Sequence, residues 1–175
     1  MSRPPGQPYL SALRIRQRIR ALAASIRRAY RHRPLTIVAL LKGSVFFVVD
    51  LLRHLPHETE VEFWNVSSYE GMRSTGKIRG LKHCRGNFKG RDILLIDDIL
   101  DSGLTLHRTR RHAKRLGARS VSICVLLSKR RKRVRSVQAR WVGFSIQDKF
   151  VVGYGLDLDQ RYRALPSIRS LPSND

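Results

Sequence analysis

The chain has 175 residues, 42% hydrophobic and 27% charged, enough length and apolar content for one domain with a full core. No apolar run approaches the roughly 20 residues of a membrane span, so no membrane partner is expected. Against 13 Asp and Glu stand 35 Lys and Arg, a formal net charge of +22 that should attract polyanions nonspecifically, although aromatics are only 7% and no basic–aromatic interleaving of the RNA-stacking kind occurs.

The opening residues, Met1 to Pro8, lack the apolar centre of a signal peptide. Ile15, Ile19, Leu22 and Ile26 recur at helical spacing among arginines, predicting an amphipathic helix over 11–31. Residues 35–41 read as a buried strand, Lys42-Gly43-Ser44 as a turn, and 45–54 as a largely apolar helix. A strand is expected at 60–67, then a long mobile loop over 69–77 with two glycines and three charges, then a returning strand near 77–84. Further on come a strand at 93–96, a helix at 104–116 stopped by Gly117, and strands at 120–127 and 141–144. Ser170 to Asp175 are expected to fray. Strands alternating with helices imply a mostly parallel sheet with right-handed crossovers, and no repeat or linker divides residues 1–175. Cys84 and Cys124 lie far apart without metal-type spacing, which fits reduced thiols in a cytoplasmic protein.

The chemistry concentrates after Ile93-Leu94-Leu95-Ile96. Four branched aliphatics suit a strand covered on both faces, and the following Asp97 and Asp98 belong at its exposed C-terminal edge, since burying carboxylates is costly. Open α/β sheets bind ligands at that edge. Asp101-Ser102-Gly103-Leu104-Thr105 then offers hydroxyls, free backbone N–H groups and a helix N-terminus, a combination that suits phosphate. Without other support, Ser102 could equally be a plain helix cap. Acids beside an anion cradle point to a ligand carrying phosphates and hydroxyls, or to a bridging Mg²⁺.

This block resembles the phosphoribosyl pyrophosphate (PRPP) motif of type I phosphoribosyltransferases. Leu41-Lys42-Gly43-Ser44 and Val66-Ser67-Ser68-Tyr69 before it, and Val142-Gly143-Phe144, the run Asp148 to Asp157 and Arg161-Tyr162-Arg163 after it, complete a family order. Together they resemble the hypoxanthine-guanine phosphoribosyltransferase family over about residues 35–168. The resemblance implies a twisted parallel sheet flanked by helices, a small purine-binding hood and a lid loop at about 68–80. It implies transfer of 5-phosphoribosyl from PRPP to N9 of hypoxanthine or guanine, with Mg²⁺, in a homodimer or homotetramer. On this basis Asp97 and Asp98 hold the ribose hydroxyls directly or through Mg²⁺, and Asp101 takes a proton at purine N7. Ser102, Gly103, Leu104 and Thr105 cradle the 5′-phosphate. Lys42 and Gly43 form a pyrophosphate loop with a cis peptide, Arg163 contacts pyrophosphate, and Asp157 ligates its Mg²⁺ beside the purine. Lys129 donates to purine O6, Phe150 stacks on the base, the Val151 backbone meets its exocyclic edge, and Ser68 and Tyr69 tip the lid. The run Lys129-Arg130-Arg131-Lys132-Arg133 is richer in cations than the family pattern, leaving Arg130 and Arg131 as alternatives for the O6 contact. A PRPP-sensing nucleic-acid-binding regulator is the rival suggested by the charge, and a 6-aminopurine or pyrimidine enzyme is disfavoured by Lys129.

Overall fold

The computed structural model describes residues 8–31, 33–70, 73–131 and 134–171, with 67–70 and 73–78 described by backbone alone. Its elements in chain order are β1 (Pro8–Leu10), α1 (Ala12–Ala29), β2 (Leu35–Leu41), α2 (Val45–Leu52), β3 (Glu60–Asn65), β4 (Ser67–Glu70) and β5 (Arg73–Arg79). After a 3₁₀ turn at Leu81–His83 come β6 (Asp92–Leu100), α3 (Leu104–Arg115), β7 (Ser120–Lys129), β8 (Trp141–Ile146), β9 (Val151–Val152) and β10 (Ile168–Ser170). The terminal segment expected to fray lies mostly outside the described residues, as does the N-terminus before Pro8.

Five strands form a sheet in the order β3-β2-β6-β7-β8, every neighbouring pair parallel. Helices cover both faces, which is why β2 and β6 are apolar at consecutive positions rather than at alternate ones. On one side α1 and α2 pack with Ile37, Ala39, Leu94 and Ile96. On the other, α3 packs with Val38, Leu40, Ile93 and Leu95. Ile93 to Ile96 are fully buried, each contributing roughly 1.5–3 kcal/mol by leaving water. The stripe predicted for α1 is the one that is buried, Ile15, Ile19, Leu22 and Ile26. Ser11 caps this helix by accepting from the Arg14 amide. Arg18 reaches from it to the far edge of the sheet, donating to the carbonyls of Val142 and Gly143 at 2.7 Å each.

A second, antiparallel sheet has the order β1-β10-β9. Leu10, Val151 and Ile168 join the core beneath α1 and α2, fixing this small hood to the body. Its strands have two or three residues, too short for a periodic signal, and they were not anticipated.

Two sequence expectations change. The acids 97 and 98 do not follow a strand ending at Ile96; they lie inside β6, which runs to Leu100. Its ladder with β7 continues through Asp97↔Val125, Ile99↔Leu127 and Leu100↔Ser128, so a paired neighbour holds these residues extended whatever their side chains. Nor is 69–77 an irregular loop: β4 and β5 form an antiparallel hairpin with Tyr69↔Ser74 and Glu70↔Arg73 in register. The return strand therefore comes early, at Arg73–Arg79, and a 3₁₀ turn occupies part of its expected place.

Candidate active site

Chain order dictates where ligands can enter. The β2–α2–β3 crossover leaves towards one edge of the sheet and β6–α3–β7 towards the other, on opposite faces. The crevice between the C-terminal ends of β2 and β6 is thus a topological switch point. A cleft of about 1210 Å³ opens there. All the site residues expected from the sequence line it except Ser68 and Tyr69, whose side chains lie outside the described residues.

β2 delivers Lys42 and Gly43 to the crevice through a cis peptide between Leu41 and Lys42. Gly43 is fixed by close approach. A Cβ there would stand 1.7 Å from Asp98 Oδ2, and one on Gly155 would stand 2.0 Å from the Gly43 carbonyl oxygen. Three segments distant in sequence therefore meet at one residue that has no room for a side chain.

Within β6, Asp97 Oδ1 accepts from the Asp98 amide at 3.0 Å and Asp98 Oδ1 from the Ile99 amide at 2.8 Å. Burial, together with the Asp98 charge, raises the Asp97 carboxyl well above the ordinary range. Burial also raises Asp98, though its hydrogen bonds and Arg163 oppose the shift. The pair is costly to ionise as it stands, so a cation or a set of hydroxyl donors would be welcome beside it.

Ser102 lies just before Gly103, the residue that caps α3 with φ of +79°. A Cβ on Gly103 would also meet the Arg135 carbonyl oxygen at 2.5 Å, so both conformation and packing call for glycine. Ser102 Oγ accepts from the Leu104 amide at 3.4 Å, and no acid occupies the first turn of α3. An anion at this helix end meets donors and no opposing carboxylate from α3.

The base end is built from the tips of β6 and β7 and the approach to β9. Lys129, the last residue of β7, places Nζ 3.4 Å from Asp101 Oδ2 and 3.1 Å from Asp148 Oδ1. Arg131 Nη1 is 3.2 Å from Asp101 Oδ1 and 3.2 Å from Asp148 Oδ2. Arg130 points elsewhere, donating to Ser145 Oγ at 3.1 Å. Of the three candidate cations, Lys129 is the enclosed one at 12% side-chain exposure, against 43% for Arg131. Phe150 is 36% exposed, its carbonyl held by the Leu171 amide at 3.1 Å, while Val151 beside it is buried in β9.

At the opposite end Arg163 pairs with Asp157 at 2.8 Å and donates to the Gly155 carbonyl at 2.6 Å. Asp157 Oδ2 also accepts from the Gln160 amide. The chain here doubles back twice, bridging Gly153 to Leu156 and Leu158 to Arg161, with Tyr154, Asp159, Gln160 and Tyr162 at positive φ. Non-glycine residues rarely hold such angles, and runs of them mark sites held by their surroundings. Nothing in the residue pattern alone singles out Asp148, Arg131, Gly155 or Gln160 as site residues. Arg131 was weighed only as a substitute for Lys129, and the excess of cations after β7 was the one signal that it has a place here.

A family model described as the phosphoribosyl transferase domain matches residues 8–159. The hypoxanthine-guanine phosphoribosyltransferase of Mycobacterium avium is 42% identical over 169 residues, 93% of this chain and 83% of its own length. The hypoxanthine phosphoribosyltransferase of Escherichia coli is 41% identical over 157 residues, 88% of each chain. Among solved structures, a Bacillus anthracis hypoxanthine-guanine phosphoribosyltransferase superposes with a TM-score of 0.87 at 36% identity, covering 95% of this chain and 96% of that one. A Staphylococcus aureus hypoxanthine phosphoribosyltransferase gives 0.88 at 35% identity, covering 96% and 92%.

Proposed function

The chain belongs to the hypoxanthine-guanine phosphoribosyltransferase family, and from that premise we propose that it salvages purines by joining PRPP to hypoxanthine or guanine, giving IMP or GMP and pyrophosphate. The observation that carries this reading is one cleft lined by the Asp97–Asp98 pair, the Ser102 to Thr105 turn and Lys129. The 5′-phosphate sits on Ser102 to Thr105 at the start of α3, and the ribose hydroxyls face Asp97 and Asp98. Pyrophosphate lies between Lys42-Gly43 and Arg163. The purine slides under Phe150, with O6 towards Lys129, its exocyclic edge along the Val151 backbone and N7–H towards Asp101.

In the transfer, N9 forms a bond to the ribosyl carbon as that carbon's bond to pyrophosphate oxygen breaks. Asp101 accepts the proton from N7, general-base work for a side chain placed just past the end of β6. Lys129 stabilises charge gathering on O6, while Lys42 and Arg163 stabilise the leaving group. Ser68 and Tyr69, on the hairpin that lies against α3, close over the centre and exclude water from a carbon with cationic character.

Among the described residues no three His, Cys, Asp or Glu side chains converge into a self-sufficient metal site. Mg²⁺ needs none, since it commonly takes one or two carboxylates and completes its shell with substrate oxygens and water. The raised carboxyls of Asp97 and Asp98 fit such a cation on the ribose side, and Asp157 fits one on the pyrophosphate side. Bound there, Mg²⁺ would neutralise leaving-group charge.

The whole chain, 1–175, works as one catalytic unit, supported by two cores sharing one sheet. Exposed Phe46 and Val49 on α2 and Phe63 on the edge strand β3 support a homodimer or homotetramer, which sedimentation would distinguish. No described helix is long and apolar enough to cross a membrane, and both cysteines are free and buried, in keeping with a cytoplasmic enzyme. The decisive assay offers purified protein PRPP, Mg²⁺ and each nucleobase in turn. Nucleotide formation from hypoxanthine or guanine supports the reading, and failure with every base overturns it.

A further inference from the structure

Lys129 and Arg131 bridge the same two carboxylates. Each lies between Asp101 and Asp148, at 3.4 and 3.1 Å for Lys129 and at 3.2 and 3.2 Å for Arg131. The four charges form a closed ring, with one cation on each oxygen of Asp101. A purine needs two members of this ring at once: Lys129 for O6, and one Asp101 oxygen for N7–H. The longest contact of the ring, 3.4 Å between Lys129 and Asp101, is the one a purine engaging both would loosen. Opening it there frees Oδ2 of Asp101 and lets Lys129 keep its contact with Asp148. Arg131 has no such competing duty.

We propose that Arg131 is a positioning residue for the general base, gripping Oδ1 of Asp101 from an anchor on Asp148 so that Oδ2 faces N7–H of the bound purine. The proposal rests on the assignment of Asp101 as base. Geometry favours the role. Asp101 follows the end of β6, beyond the last paired residue Leu100, so its backbone is past the ladder that holds Asp97 and Asp98. A guanidinium is planar and presents several donors, and it can span two carboxylates without losing its orientation to either. Arg131 is 43% exposed on its side chain, so its replacement leaves the buried core untouched. The same position explains why a chain already carrying Lys129 has a use for a second cation two residues on.

Two unreactive purine analogues separate positioning of the base from general support of the pocket. 9-Deazahypoxanthine keeps N7–H but has carbon in place of N9, whereas 7-deazahypoxanthine presents C–H where N7 would be. Binding of each is measured with PRPP and Mg²⁺ present, in wild type, Arg131→Ala, Arg131→Lys and Asp101→Asn. Arg131→Ala should weaken 9-deazahypoxanthine on the order of tenfold and 7-deazahypoxanthine by less than about twofold, the non-additivity expected when one residue acts through a single contact. It should lower kcat with hypoxanthine by a similar factor, leave the KM for PRPP unchanged, and be rescued in part by Arg131→Lys. Equal weakening of both analogues, or an unchanged kcat, overturns the proposal. If Asp101→Asn turns over like wild type, the base assignment itself falls, and that outcome is read independently of the Arg131 variants.

Discussion

At the residue scale, the site divides labour between groups that differ little in type but much in setting. Asp101 and Asp148 are both acids beside Lys129, yet Asp101 is 16% exposed and Asp148 43%, so the former is the enclosed one and the one proposed as base. Asp101→Asn should lower turnover by roughly 10²-fold or more, the usual scale for losing a general base. PRPP binding should survive, because the neighbouring cradle is made of backbone and hydroxyl groups; steady-state kinetics and PRPP titration check both halves. In the proposed site Lys129 and Phe150 would meet the same base in different ways. An ammonium can donate to a carbonyl and finds no acceptor on an amino group, so adenine should be rejected by several kcal/mol. Lys129→Ala should therefore narrow the preference for hypoxanthine over adenine, whereas Phe150→Ala should weaken all purines alike, by about 1–3 kcal/mol. Measuring kcat/KM for hypoxanthine, guanine and adenine tests the division. An unchanged oxo-over-amino ratio in Lys129→Ala would move the O6 contact to Arg131.

At the element scale, β6 carries carboxylates at both ends with opposite consequences. Asp92 opens the strand at 1% exposure, accepting from Arg119 at 2.7 and 3.1 Å and from Ser120 Oγ at 2.6 Å, with Arg33 at 3.4 Å. The Arg119 hydrogen bonds hold its carboxyl below the ordinary range, against the pull of burial. A depressed folded-state value means stability that is present above the unfolded-chain value and lost as pH falls through the folded one. Asp92→Asn should thus cost roughly 1.5–3 kcal/mol at neutral pH, a difference that closes in strong acid when unfolding is followed with urea. Asp97 and Asp98 are raised instead. Their contribution is full below the unfolded-chain value and is lost as pH climbs through the folded values, so the ionised pair is a load at neutral pH. Asp98→Asn should raise the neutral-pH Tm without Mg²⁺, lose that advantage at about pH 3, and weaken PRPP binding, which is the trade of stability for function seen at many active sites. A lower Tm at neutral pH would refute it.

At the scale of the whole molecule, the +22 charge is spread rather than focused. Neither α1 nor α3 contains an acid; α1 exposes Arg16, Arg20, Arg27 and Arg28, and α3 exposes Arg108, Arg111, Lys114 and Arg115. These helices cover opposite faces of the sheet, so no single groove gathers their charge. RNA affinity should fall steeply between low and physiological salt and show no sequence preference. A site-specific complex of nanomolar affinity at physiological salt would instead favour a regulator.

What the sequence by itself determined was everything governed by local pattern. The spacing of Ile15, Ile19, Leu22 and Ile26 fixed the buried face of α1, because helix periodicity and burial are the same constraint. The unbroken aliphatics of β2 and β6 implied a sheet covered on both faces. The acids and the Ser-Gly-Leu-Thr turn marked the C-terminal edge of the sheet, since carboxylates without a buried partner are least costly where a strand leaves the core. Tertiary structure alone decided what depends on neighbours far along the chain. β6 reaches Leu100 because β7 pairs with it, although its own residues turn polar at Asp97. The hood strands exist only by tertiary pairing, β10 joining β9 on one side and β1, some 160 residues away, on the other. Gly43 is held to glycine by Asp98 and Gly155, and Arg131 meets both Asp101 and Asp148. These contacts arise from the closing of one crevice by segments that share no local signal, so no reading of spacing could have placed them.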